Sequence, residues 1–322
     1  MDKRRDFIKK IGLTLGTVGV GSMLNPTMSD AFSAPNERKK VLRIAHITDV
    51  HLPAEEKPKL AFKKVLQEIN NMKDRPDLII NTGDTVMDMN GKDAETNTKL
   101  WSAWHEVNQV NKIKMYSCLG NHDVWYGKND ALDQEYKRDK RYGKAWAINE
   151  LKLPNRYYET PVLNGWKFIA LDSITYDHGY KIDDEQLQWL TKILETTPAS
   201  TNICVFSHVP IITVTAYMYA AQRSPIANVK FPGGDQHIDV KPLKDLFFKH
   251  KNVKVCLSGH VHYIDDVEYL GVKYFCGGAV SGNWWGGNWS LDEFPPVYSI
   301  IDLYEDGTAE TAVKHYLKTI KL

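Results

Sequence analysis

Cysteine is scarce in this chain, with 4 in 322 residues, and the four stand apart from one another. Cys118, Cys204, Cys256 and Cys276 each lie in an apolar, strand-like run without the close spacing of a zinc ribbon or a redox CxxC, so they read as buried, inert thiols. Neither sign of charge is in excess: 41 Lys and Arg against 40 Asp and Glu leave a formal net charge of +1. That balance gives no broad electrostatic footprint for a polyanion. Outside the first ten residues there is also no basic stripe with interleaved aromatics, so specific nucleic-acid binding is not expected. The apolar stretch near the N-terminus, Ile11 to Leu24, falls short of the roughly 20 apolar residues that a bilayer-crossing helix needs. Internal repeats and a linker after residue 40 are absent too. What remains is enough chain for a sizeable core.

From residue 41 onward strands and helices alternate. Val41 to Ile47 reads as a buried strand, and Phe62, Val65, Leu66 and Ile69 recur at helical spacing, with Lys63, Lys64 and Glu68 on the opposite face. Leu78 to Ile80 is the next strand, about Asn97 to Val110 the next helix, and Lys114 to Leu119 the strand after it. Such alternation is the mark of βαβ units and of a helix-covered sheet whose strand-end loops form the binding edge. Lys167 to Leu171, Ile203 to Phe206, Val253 to Leu257, Tyr274 to Cys276 and Tyr298 to Leu303 supply further strands. Asp184 is placed to cap a helix with Leu187, Leu190 and Leu194 on one face, and Leu243 to Phe248 is also helical. Two stretches, about 124–158 and about 213–239, break the rhythm and are long enough to be lids over that edge. In the first, Trp125 and Tyr126 either border a pocket or pack beneath a loop.

Polar residues cluster directly after the strands, as Asp49-Val50-His51, Gly83-Asp84, Gly120-Asn121-His122-Asp123, Ser207-His208 and Gly259-His260-Val261-His262. Asp49, His51, Asp84, Asn121, His208, His260 and His262 are seven oxygen and nitrogen donors, a set that suits two borderline divalent ions such as Mn, Fe, Zn or Co. Asp84 is the natural bridge, because one carboxylate can serve two cations and offset part of their charge. On an extended segment His260 and His262 would share one side, each reaching one of two ions about 3.5–4 Å apart. Gly83, Gly120 and Gly259 each precede a ligating residue, where unusual dihedrals or a close backbone approach are needed.

This arrangement resembles the calcineurin-like metallophosphoesterase superfamily, whose ordered pattern is D-x-H, G-D, G-N-H-D/E, H and G-H-x-H. All five blocks occur in that order between Asp49 and His262, about two thirds of the chain. The resemblance implies an α/β fold, a four-layer α/β/β/α sandwich of two mixed sheets. It implies one metal held by Asp49, His51, Asp84 and His262 and a second held by Asp84, Asn121, His208 and His260, with a bridging hydroxide attacking phosphorus. His122 would face the substrate and give a proton to the leaving group, and Asp123 would orient its ring. Met87 stands three positions after Asp84, where a ferric tyrosinate centre of the purple acid phosphatase kind would need tyrosine. The D-x-H form looks more like the cyclic-nucleotide phosphodiesterase branch. A phosphodiester is therefore the expected substrate, with a phosphomonoesterase or nucleotidase, or a non-catalytic binding module on the same scaffold, as alternatives. Trp284 and Trp285, with Asn288-Trp289 further along a Gly-rich loop, either stack on a base, sugar or glycerol face or anchor the loop. His237 in the second lid either touches substrate or is a solvated loop histidine; His46, His105, His178, His250 and His315 fall outside the blocks and read as structural.

Arg4-Arg5 followed by Phe7, then the apolar run from Ile11, resembles a bacterial twin-arginine export signal. The expected organisation is an export signal and linker over 1–40 and one phosphoesterase domain over 41–322. The export machinery would be a partner, the mature protein would have no transmembrane span, and its destination would be the periplasm or the exterior. An uncleaved signal would instead leave a membrane attachment.

Overall fold

The computed structural model describes residues 38–175, 179–223, 230, 233–286 and 295–316. The twin-arginine stretch, His178 and Asn288-Trp289 lie outside the described residues. In chain order the elements are β1 (Lys40–Ile47), α1 (Glu56–Asn70), β2 (Leu78–Asn81), α2 (Ala94–Asn108), β3 (Lys114–Ser117), α3 (Asp130–Tyr136), α4 (Ala145–Glu150), β4 (Tyr158–Glu159), β5 (Trp166–Ala170), α5 (Asp184–Thr196), β6 (Asn202–Phe206), α6 (Thr215–Arg223), α7 (Val240–Lys249), β7 (Val253–Ser258), β8 (Ile264–Tyr269), β9 (Val272–Gly277), β10 (Val297–Tyr304) and β11 (Ala309–His315).

Two mixed sheets result, one of five strands in the order β11-β10-β1-β2-β3 and one of six in the order β4-β5-β6-β7-β9-β8. β1, β2 and β3 run parallel, as do β5, β6, β7 and β9, while β10 pairs antiparallel with both β1 and β11, β4 with β5 and β8 with β9. Period-2 alternation divides each strand between two cores. Ile44, Phe168, Cys204, Phe206, Leu257 and Ile301 fill the layer between the sheets. Their chain neighbours Ala45 and Ile300 meet Phe62, Leu66, Trp101 and Trp104 of α1 and α2. On the other side Ile169, Ile203, Val205 and Cys256 meet Leu190 and Leu194 of α5 and Leu243 and Phe247 of α7. With one core between the sheets and a helix-covered core outside each, the layers form an α/β/β/α sandwich.

Several boundaries differ from the sequence reading, each for a local reason. Asp183 rather than Asp184 caps α5, its carboxylate accepting from the Gln186 amide at 2.9 Å. β8 and β11 are additional strands, each half of a hairpin. Leu270-Gly271, both in the left-handed region, turns β8 into β9, and Gly307 turns β10 into β11. Trp125 is buried and stacks on Tyr136, with Trp146 edge-on, so it packs beneath the 124–158 stretch and does not border a pocket. The four cysteines are buried and free, and burial pushes all four thiols up. No helix among the described residues is long and apolar enough to cross a membrane.

Truncating Phe168 between the sheets is expected to destabilise the fold by about 3–5 kcal/mol, because the layer is closed on both sides and cannot collapse onto the cavity. Denaturant unfolding of Phe168→Ala, with an unchanged slope, checks this.

Candidate metal centre

Every parallel strand of both sheets carries its chain to the same edge, and the donors stand on the loops that follow. Those loops are stitched to one another by backbone bonds: the Asp49 amide donates to Gly83 (3.0 Å), that of His51 to Asp84 (2.8 Å), and that of Gly259 to His208 (2.9 Å). The backbone is strained where the donors sit. Asp49, His51, Asp84, His260 and His262 have φ between 42° and 72°, the left-handed region that non-glycine residues rarely enter. The segment carrying His260 and His262 is therefore not extended, and its two rings diverge through backbone twist. Gly120 and Gly259 are needed for close approach. A Cβ on Gly120 would lie 2.0 Å from the Asp84 nitrogen, and one on Gly259 would lie 2.1 Å from Asp49 Oδ2.

The four candidate donor histidines are oriented in the same manner. His51 Nδ1 faces the Met87 carbonyl (3.2 Å), His262 Nδ1 that of Gly282 (2.7 Å), His208 Nδ1 that of Thr82 (2.9 Å) and His260 Nε2 that of Gly234 (2.5 Å). A carbonyl only accepts, so each bond fixes a proton on that nitrogen and leaves a lone pair on the other. The free nitrogens converge in two groups. In one, His51 Nε2 and His262 Nε2 are 3.0 Å apart, with Asp49 Oδ1 3.3 Å from the latter. In the other, His208 Nε2 lies 3.0 Å from Asn121 Oδ1 and 3.2 Å from His260 Nδ1, and Asn121 Oδ1 is 3.0 Å from His260 Nδ1. Two lone pairs face to face repel unless a cation lies between them. Donors about 2.1 Å from one ion at right angles are about 3 Å apart, the spacing found here. The residues present therefore fit a divalent ion in each group.

Asp84 joins the groups. Its Oδ2 is 3.5 Å from His51 Nε2 and 3.1 Å from His208 Nε2, while Oδ1 accepts the His122 amide at 2.8 Å. Burial opposes ionisation of Asp84, yet His208 and the surrounding imidazoles hold it well below the usual carboxylate range. Burial likewise opposes the charge of Asp49, but His262 keeps it at about 2. Burial drives His51 down to about 3 and His260 to about 4, as neutral ligands require. His208 goes the other way: against burial, Asp84 raises it to about 9. A proton on Nε2 and a cation beside it are alternative answers to the same carboxylate. The Nδ1 bond to Thr82 leaves Nε2 available to either.

The order of roles in Gly120-Asn121-His122-Asp123 needs one correction. Asp123 does not orient the His122 ring: its Oδ1 accepts from the amides of Thr85 (2.8 Å) and Val86 (3.1 Å), and its Oδ2 from that of Gly120 (3.0 Å). It is wholly buried and staples the third loop to the second; burial and then Asp84 push it up to about 7, against the pull of those amides. The carboxylate beside the ring is Asp88, which sequence reasoning missed, with Oδ1 3.1 Å from His122 Nδ1. The distance is that of an ion pair, but the N–H is not aimed well enough to count as a hydrogen bond. Burial lowers the His122 pKa, but Asp84 and Asp88 outweigh it and leave the ring raised above an ordinary histidine. The only sequence sign of Asp88 was a carboxylate four residues beyond Asp84.

The three candidate substrate residues separate. Trp284 lies on the centre, its ring stacked on His51 with centroids 3.7 Å apart. Trp285 instead gives its indole N–H to the carbonyls of Val50 (2.9 Å) and His51 (3.0 Å) and packs on the first core. His237 is buried, with Nδ1 2.7 Å from Asp239 and its amide donating to the Pro210 carbonyl, so it is not a solvated loop histidine, and among the described residues its contacts are with none of the seven donors. Of the other histidines, His46 is buried against Thr82 and His105 pairs with Glu150.

The calcineurin-like phosphoesterase family model matches residues 42–263. A 3′,5′-cyclic-nucleotide phosphodiesterase of Nostoc sp. is 24% identical over 86% of this chain and 93% of its own. A probable glycerophosphodiester phosphodiesterase of Arcobacter nitrofigilis is 27% identical over 69% and 72%. A 3′,5′-cyclic adenosine monophosphate phosphodiesterase of Haemophilus influenzae is 25% identical over 86% and 90%. Among solved structures, a zebrafish dimetal phosphatase shares the fold with a TM-score of 0.57 at 12% identity, covering 86% of this chain and all of that one.

Two outcomes follow from this geometry. Asp84→Ala should empty both groups of metal, whereas His208→Ala should spare the group of Asp49, His51 and His262; elemental analysis of the purified variants checks this. Asp123→Ala should cost about 3 kcal/mol or more of unfolding free energy, since it strands three amides in the interior.

Proposed function

Because the chain belongs to the calcineurin-like phosphoesterase family and is a metal-dependent phosphoric ester hydrolase, we propose that it hydrolyses a phosphodiester at a two-metal centre. Asp49, His51, Asp84 and His262 hold one ion, and Asp84, Asn121, His208 and His260 the other, with Mn, Fe, Zn or Co all compatible with the oxygen and nitrogen donors. When bound, such ions supply activated water near neutral pH and offset the charge of the non-bridging phosphate oxygens.

The chain's own residues do the rest. His122 stands at the edge of the centre with its backbone amide on Asp84, so its position is tied to that of the donors. Protonated, it donates to the departing ester oxygen, and Asp88 holds the ring and favours its charged form. Asp123 acts only through the loop it fastens. The observation that carries the reading is the common orientation of the four imidazoles, each with its far nitrogen bonded to a backbone carbonyl. Preference for a diester is supported by the relatives, whose names describe diesterases.

Before this domain, which we take as 41–322 with the 124–158 and 213–239 stretches as lids, we read an export signal within residues 1–40. Its support is the Arg4-Arg5-Asp6-Phe7 sequence and the apolar run from Ile11 to Leu24. The export machinery would then be a partner and the periplasm or exterior the destination. N-terminal sequencing of protein recovered outside the cytoplasm tests this.

With Mn added, bis(4-nitrophenyl) phosphate should be cleaved faster than 4-nitrophenyl phosphate; the reverse order would favour a monoesterase. Tight binding without turnover over a broad ester panel would favour a binding module. His122→Ala should keep both ions and lose about 10²–10⁴-fold in kcat. Asp88→Asn should lose less than that, with KM little changed.

A further inference from the structure

The loop after β9 does more than close the sheet. Its chain is fastened to the centre at successive residues: the Ser281 amide and hydroxyl both donate to the Asp49 carbonyl (3.1 and 2.8 Å), and the Gly282 carbonyl takes the proton of His262 Nδ1 (2.7 Å). Trp285 then anchors its indole N–H on Val50 and His51. Between these anchors Trp284 is held with φ 57°, followed by Trp285 at 61°. Two consecutive bulky residues in the left-handed region are costly, and such strain persists only where the surroundings over-determine it.

What the strain achieves is the placement of one ring. The Trp284 indole stacks on His51 at 3.7 Å and 29°, extends over His262 at 5.5 Å and 26°, and stands edge-on to His122 at 4.6 Å and 80°. It is nonetheless 39% exposed, unlike Trp285. The ring rests on the His51 and His262 imidazoles, yet more than a third of its surface stays exposed next to His122, the group that meets the leaving oxygen in the function proposed above.

We propose that Trp284 is a specificity-determining residue whose exposed ring surface takes a planar ring, such as a nucleobase, carried by the ester's leaving side. This inference rests on the diesterase reading. Every base has a π-face, so stacking selects for a ring without requiring one particular base, and loss of one such platform costs about 5- to 100-fold in binding. The ring lies outside both donor groups, so it contributes recognition and no step of bond cleavage.

Two diesters with aliphatic leaving oxygens separate recognition from chemistry: 3′,5′-cyclic adenosine monophosphate, which carries a base, and glycerophosphoethanolamine, which does not. Trp284→Ala should lower kcat/KM for the cyclic nucleotide about 10- to 100-fold, chiefly through KM, while changing the glycerol ester less than about 3-fold. Trp284→Phe should recover most of the loss, metal content should match wild type, and the Kd of adenosine 5′-monophosphate should rise by the same factor as KM. Equal loss on both esters, or loss of metal from Trp284→Ala, would make the ring a cover for His51 and overturn the inference. An unaltered Kd would do so as well. If the metal-loaded wild type cleaves neither ester, the diesterase reading falls, while the binding arm still decides the role of Trp284.

Discussion

One buried carboxylate oxygen, Oδ2 of Asp84, governs the centre. It lies within 3.5 Å of a ring nitrogen from each donor group, and these rings come from the loop after β1 and the loop after β6, hence from different sheets. A buried negative charge is tolerated only when compensated, so this oxygen demands positive charge on both sides. The sandwich must then hold its two sheets at a fixed offset, because a slide of either would pull His51 or His208 away. Gly120, against the Asp84 backbone, and Asp123, binding three amides around it, exist in this structure to keep that oxygen where both sheets can reach it.

The left-handed conformations of five donors belong to the same constraint. A strand delivers side chains alternately to its two faces, whereas the loops after β1 and β7 each turn two donors, Asp49 with His51 and His260 with His262, back over the sheet edge. Positive φ supplies that reversal. Its cost is borne by the bonds between loops, in which the amides of Asp49 and His51 donate to the carbonyls of Gly83 and Asp84. Strain and stitching occur together, as expected where geometry is held for function at the expense of local stability.

Much of this was legible in the sequence because both relevant signals are local. Alternating buried strands gave the sheets, and the blocks after them gave the seven donors that the structure gathers. Less legible were features that depend on contacts across the chain. Nothing in Asp123 itself tells that its oxygens are taken up by amides from residues 85, 86 and 120, nor does Asp88 advertise its approach to His122. The carbonyls that set the imidazole protons, from Thr82, Met87, Gly234 and Gly282, carry no side-chain signature at all. Backbone acceptors are present at every residue, and only the fold selects among them. For the same reason Trp284 and Trp285 were inseparable as a dipeptide: one faces outward and the other inward because of a loop conformation, and not because of composition.

The two donor groups are also enclosed differently. The group of His51 and His262 lies beneath the loop after β9, through the Gly282 carbonyl and the Trp284 ring. The group of His208 and His260 instead meets Gly233-Gly234, through the Gly234 carbonyl, with Tyr180 edge-on to His260 at 5.1 Å and its own amide donating to the Gly233 carbonyl. Those segments are separate in sequence and supply none of the seven donors, yet each fixes one imidazole of its group through a backbone carbonyl. The donors thus come from the strand-end loops, while the orientation of two of their rings depends on segments that contribute no donor side chain.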